Sequence, residues 1–172
     1  MDALAAAPAL LGGGWNGTGM RYRFEPMSER HARAVAGWHY DPPYDFYDWE
    51  ADEADLAELL DPARRESRYF AVTDVRGDLV GFAAFSSEGD AVEVGLGLRP
   101  DLTGRGLGLS FLLSSLEFAR GRYAPVRFRL AVAAFNQRAI RVYERAGFRR
   151  GESYPHHANG GEHEFLRMER PT

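Results

Sequence analysis

A chain of 172 residues, 45% hydrophobic and 27% charged, is sized and balanced for one globular domain with an ordinary core. Its 21 basic and 25 acidic side chains give a formal net charge of −4, which does not favour nucleic acid, and no apolar run approaches the roughly 20 residues that span a bilayer, so no membrane partner is expected. The absence of cysteine excludes disulfides and thiolate metal sites and fits a cytoplasmic enzyme.

Residues 1–20 are rich in Ala and Gly and carry a single charge, Asp2, before the composition changes at Arg21. The acidic start and Pro8 argue against a secretory signal, so a disordered extension is expected ahead of a domain over residues 21–170. Residues 21–26 suit a strand, and 28–38, opened by Ser28 as a cap, suit a helix. Asp41-Pro42-Pro43 breaks that helix, and an aromatic segment follows. Leu56, Leu59 and Leu60 then mark a helix over 52–60, with Pro62 at its exit. Residues 69–74 and 79–85 flank Arg76-Gly77-Asp78 and predict an antiparallel hairpin.

Residues 91–99 alternate, with Val92, Val94, Leu96 and Leu98 on one face and Glu93, Gly95, Gly97 and Arg99 on the other. Two glycines on one face signal either a close approach there or a bulge that shifts the alternation. A helix is predicted over 106–123, with Leu109, Leu112, Leu113 and Leu116 as its buried stripe and Gly121 and Pro125 at its end. A strand over 126–132 and a helix over 136–146 follow, the helix stopped by Gly147. Residues 148–154 and 162–168, joined through Asn159-Gly160-Gly161, predict a second hairpin.

Between the alternating strand and the long helix lies Asp101-Leu102-Thr103-Gly104-Arg105-Gly106-Leu107-Gly108. Free amides at a helix start bind anions, and glycine lets a phosphate approach the backbone. The glycine spacing does not match a dinucleotide fingerprint, and no Lys-Ser or Lys-Thr completes a P-loop. For an isolated stretch a plain strand-to-helix turn is the alternative. Downstream, Asn136-Gln137-Arg138-Ala139-Ile140-Arg141-Val142-Tyr143-Glu144-Arg145-Ala146-Gly147-Phe148 follows the next strand. Together the two segments resemble the acyl-CoA-binding signature of the GNAT superfamily of N-acetyltransferases. The resemblance implies an α/β (α+β) single domain, with a mixed, mostly antiparallel central sheet flanked by helices.

It also implies acetyl-CoA as co-substrate. The amides around Arg105, Gly106, Leu107 and Gly108, with Thr103 and Gly104 alongside, would hold its pyrophosphate. Thr103 stands where the family often has Gln or Arg, a departure on which an amide cradle does not depend. The pantetheine arm would pair with backbone groups near Leu96 and Leu98, where Gly95 and Gly97 relieve crowding. Asn136 would contact the pantetheine or phosphate region. The Tyr143 hydroxyl would lie near the thioester sulfur as general acid. Seven positions put Asn136 and Tyr143 on one helix face, about 10 Å apart. Their alternatives are a helix cap and a packing residue. Glu93 is the first candidate for general base, with a salt bridge to Arg99 as its alternative.

Trp38, Tyr40, Tyr44 and Tyr47, among other aromatics and near Asp41, Asp45 and Asp48, are candidates for the acceptor pocket, a cationic amine being suited to rings and carboxylates. A satellite core with its carboxylates in water is the alternative. The histidines offer no persuasive ligand geometry, so no metal is assigned. Direct transfer to a small-molecule or peptide amine in a ternary complex is expected, and a homodimer stays open. The competing class is a non-catalytic acyl-CoA-binding or sensing module.

Overall fold

The computed structural model describes residues 21–172, and the extension expected over residues 1–20 lies outside them. Seven strands form one sheet in the order β1-β2-β3-β4-β5-β7-β6. They are β1 (Arg23–Pro26), β2 (Tyr69–Thr73), β3 (Leu79–Glu88), β4 (Ala91–Leu98), β5 (Arg127–Ala133), β6 (Arg149–Ala158) and β7 (Gly161–Pro171). Every neighbouring pair is antiparallel except β4 and β5. The mixed, mostly antiparallel sheet is therefore as expected.

Five helices accompany it: α1 (Glu29–Ala36), α2 (Glu53–Leu60), α3 (Pro62–Arg65), α4 (Gly108–Tyr123) and α5 (Gln137–Arg145). Ser28 caps α1, its Oγ accepting the His31 amide at 3.2 Å. Asp52 caps α2 through the amides of Ala54 and Asp55. Pro62 ends α2 but also opens α3, because a proline lacking N–H is tolerated in a first helical turn. That short helix was not expected from the sequence.

The larger core lies between the sheet and α4 and α5, and includes Phe70, Val92, Phe111, Leu116, Phe128 and Ile140. A second cluster, built on Met27, Val35, Trp38, Leu59 and Tyr69, lies under α1 and α2. The stripe of α4 is rotated from the expected one: Phe111, Leu112, Ser115, Leu116 and Ala119 are buried, while Leu109 and Leu113 are only partly covered. The helix also continues past Gly121 and ends where Ala124 takes a left-handed conformation, φ 45°. It starts at Gly108 rather than 106, since the preceding residues form a separate turn.

The β4 strand is regular, with no bulge, from Ala91 paired with Glu88 to Leu98 paired with Gly81. Its contact with β5 is brief: Ala91–Arg127, Val92–Phe128 and Glu93–Arg129 pair, and beyond Glu93 the two strands part. This fork opens toward the start of α4 and the start of α5.

Candidate active site

The edge of β4 inside the fork can be assigned from its hydrogen bonds. The Arg99 amide donates to the Val80 carbonyl at 2.9 Å. In an antiparallel ladder alternate residues turn their N–H and C=O to the same neighbour, so Gly97 and Gly95 face β3. Leu96 and Leu98 consequently direct their backbone groups into the fork, while their side chains pack on the larger core. An extended ligand could pair with this edge as a strand does.

At the end of β4 the chain makes a single 3-10 turn over Pro100–Leu102, with the Thr103 hydroxyl donating to the Pro100 carbonyl at 2.8 Å. Gly104 and Gly106 then adopt φ +73° and +77°, and a Cβ at either would meet nothing within 4 Å. These glycines serve backbone conformation and relieve no clash. No side chain caps α4 at Leu107, and its first backbone bond is from the Phe111 amide to the Leu107 carbonyl. The amides of Gly104 to Gly108 thus remain without a backbone acceptor among the described residues. Free amides at the positive end of a helix dipole attract an anion. At Gly108 a Cβ would touch Val142 at 3.4 Å, so glycine also lets α4 lie close to α5.

Tyr143 lies on α5 with its ring against Phe148, 6.0 Å between centroids, and packs on the larger core. Burial, with a smaller contribution from Tyr47, pushes its phenol well above the ordinary range, so it stays protonated. His31 Nδ1 alone, among the described residues, is a sealed side-chain polar atom without a partner. The Tyr143 oxygen therefore remains reachable.

Glu93 is half-buried on the face that carries Gly95 and Gly97. The salt bridge weighed for it is not with Arg99, whose guanidinium holds Asp101 at 2.6 Å and the Leu79 carbonyl at 2.8 Å. Arg129, opposite Glu93, holds Glu169 at 3.5 Å. Gly97 answers a local need: a Cβ there would stand 2.5 Å from the Phe82 ring. Gly95 meets only Ala84, at an ordinary 3.6 Å. The crowding expected from a ligand arm is thus, at Gly97, crowding by β3.

The aromatic segment bridges the mouth of the fork. The Tyr40 hydroxyl donates to the Leu98 carbonyl at 2.9 Å, so this edge group already has a partner. Tyr44 stacks under the Arg138 guanidinium, 3.9 Å from ring centroid to carbon. Tyr47 receives a hydrogen bond from Asn136 Nδ2 at 3.2 Å. Trp38 is only 9% exposed and packs on Phe82 in the second core, which leaves little of its indole for a ligand. Asn136 is 8% exposed and spends its Oδ1 on the Ala139 amide at 3.0 Å, as an N-cap of α5.

Several of the contacts made here carried no signal in the sequence. His39 and Asp48 pair at 2.9 Å, and Asp48 also accepts the Tyr40 amide. Asn159, at the tip of the β6–β7 hairpin, donates through Nδ2 to the Phe46 carbonyl at 2.8 Å. Arg138 lay inside the quoted motif, but nothing local assigned it to Tyr44.

A cleft of about 390 Å³ joins these parts, lined by His39, Tyr40, Asp41, Tyr44, Thr103 and Arg138. A larger groove, about 610 Å³, lies at the opposite end of the sheet. Of the five arginines that line it, Arg127, Arg150 and Arg167 are held by Asp90, Glu144 and Glu152, and Arg170 donates to the Ala146 carbonyl. The fork therefore remains the better candidate. No group of three or more acidic or histidine side chains suited to a metal ion occurs among the described residues. No helix among them is long and apolar enough to cross a membrane.

A strand pair that parts beside an uncapped, glycine-led helix sets an open strand edge next to a site for an anion. The acetyltransferase (GNAT) domain profile matches residues 21–149, and the chain belongs to the GNAT acetyltransferase family. Among solved structures, it is similar to a GNAT-family acetyltransferase from Bacillus anthracis, with a TM-score of 0.71 and 18% identity over 88% of this chain and 95% of that one. It is also similar to spermidine N-acetyltransferase from Vibrio cholerae, solved with CoA and spermine, with a TM-score of 0.70 and 18% identity over 87% of this chain and 95% of that one. No curated protein matches.

Proposed function

We propose that the protein transfers an acetyl group from acetyl-CoA to a primary amine, directly, in a ternary complex. One observation carries this reading: the Leu96–Leu98 edge of the fork, left unpaired by β5, adjoins the turn whose Gly104 to Gly108 amides have no backbone acceptor among the described residues. An anionic diphosphate suits one end and an extended amide-bearing arm suits the edge. The Leu98 carbonyl is the exception, since Tyr40 already bonds it, so the arm relies on Leu96 and on the Leu98 amide.

The attacking amine must be neutral, because an ammonium has no lone pair. Glu93, directly or through water, takes the proton released as the N–C bond forms. Tyr143 supplies a proton to the departing thiolate, a role suited to a phenol kept protonated by burial. With no cysteine in the chain, no thiol is available to carry the acyl group. Tyr40, Tyr44 and the carboxylate of Asp41 line the cleft proposed for the acceptor.

Release of CoA from acetyl-CoA in the presence of a panel of small and peptide amines tests the reading. Amine-dependent release is expected, and coenzyme binding without it would indicate a binding or sensing module instead. In the active protein, Tyr143→Phe should lower turnover about 100-fold or more while leaving acetyl-CoA affinity nearly unchanged. Wild-type turnover in that variant would remove Tyr143 from the mechanism.

A further inference from the structure

The cleft of about 390 Å³ between the aromatic segment, the turn after β4 and the start of α5 has His39, Asp41, Asp101 and Arg138 as its acidic and basic lining. His39 already holds Asp48 at 2.9 Å, and Asp101 accepts from Nε and Nη2 of Arg99 at 2.6 and 3.0 Å. Asp41 and Arg138 form no ion pair with any described residue. The cleft thus offers one uncommitted charge of each sign.

Arg138, at the second position of α5, is half-buried. Its guanidinium carbon lies 3.9 Å from the centre of the Tyr44 ring, and that ring packs in turn on Phe135, 6.4 Å between centroids. Stacking occupies one face of the guanidinium and leaves its edge, where the N–H donors lie, for a planar partner. A carboxylate matches that edge with two parallel hydrogen bonds. Tyr40, in the same lining, donates to the Leu98 carbonyl and so ties this wall of the cleft to the fork.

From this arrangement we infer that the acceptor is a primary amine that also bears a carboxylate, and that Arg138 is the residue that selects it. The inference rests on the transfer reading above and names its acceptor class. The carboxylate takes the Arg138 edge, and Asp41 favours entry of the ammonium form, which loses a proton to water before attack. A polyamine suits this lining less well: one ammonium can meet Asp41, but another then faces Arg138. The coenzyme diphosphate also suits it less well, because Asp41 and Asp101 oppose its charge and the amides of Gly104 to Gly108 already offer it a site.

The test follows amine-dependent CoA release with matched pairs, phenylalanine against phenethylamine and γ-aminobutyrate against propylamine, with spermidine alongside. In the wild-type protein a carboxylate-bearing amine should exceed its partner by about 10- to 100-fold in kcat/KM, as expected for a charge-assisted pair. Arg138→Gln should bring that ratio near one, chiefly through the KM of the carboxylate-bearing amine, with the Kd for CoA unmoved. Arg138→Glu should invert the ratio and favour spermidine. Lost packing alone would slow both members of a pair alike, so a ratio that survives in Arg138→Gln overturns the inference. So does a wild-type protein in which neither carboxylate-bearing amine outruns its partner. A raised Kd for CoA in Arg138→Gln would also overturn it, giving Arg138 to a coenzyme phosphate instead. Amine-dependent release across the wider panel keeps the transfer reading standing in each of these cases, and its absence would overturn both.

Discussion

The Asp48 carboxylate ties down the start of the aromatic segment, one oxygen on the His39 ring at 2.9 Å and the other on the Tyr40 amide at 2.9 Å. The hydrogen bond that His39 donates to Asp48, followed by the charges of Asp48 and Glu50, raises the His39 pKa above its ordinary value. A raised histidine stabilises the folded state below its unfolded pKa of about 6.5, and this contribution is lost as pH rises through the folded value. Titration of the His39 ring by NMR should give a higher pKa in the wild type than in Asp48→Asn, and equal values would show the pair to be inert. At this scale the sequence was only partly legible. The glycine turn and the Asn136 to Phe148 run are contiguous and could be read directly. The Tyr40–Leu98 and Tyr47–Asn136 bonds join residues 58 and 89 positions apart, and no local period encodes them.

Strand β3 lies close against helix α4 at Gly81. A Cβ there would stand 2.6 Å from the Phe111 ring and 2.8 Å from the Gly97 carbonyl oxygen. A ring can shift in part, but a backbone oxygen in a sheet cannot. Gly81→Ala should therefore cost about 1–3 kcal/mol in denaturant unfolding. No loss of stability would show that β3 and β4 separate at little cost. The elements themselves were largely legible because most report on one face at a time: β4 alternates, and α5 stops at Gly147 with φ +90°. The failures occurred where one residue type has two uses. Pro62 both ends a helix and begins one, and Gly121 is tolerated inside α4 while Ala124 adopts the left-handed turn.

On the scale of the molecule, the mixed sheet was read from the resemblance to the GNAT superfamily, whereas the parting of β4 and β5 was not. That parting is a relation between strands separated by a whole helix, and each strand taken alone looks complete. A ligand that binds only the folded chain stabilises it by about 2.7 kcal/mol at 100 times its Kd. For a domain of this size, saturating acetyl-CoA should raise the melting temperature by about 5–10 °C. An unmoved transition would count against coenzyme binding in the fork. The brief β4–β5 contact also makes the sheet two wings joined along a short seam. A small rotation about the seam could widen or narrow the fork and leave every other ladder whole. Whatever lies between the wings then acts as a splint, so that occupancy and the stiffness of the whole scaffold rise together.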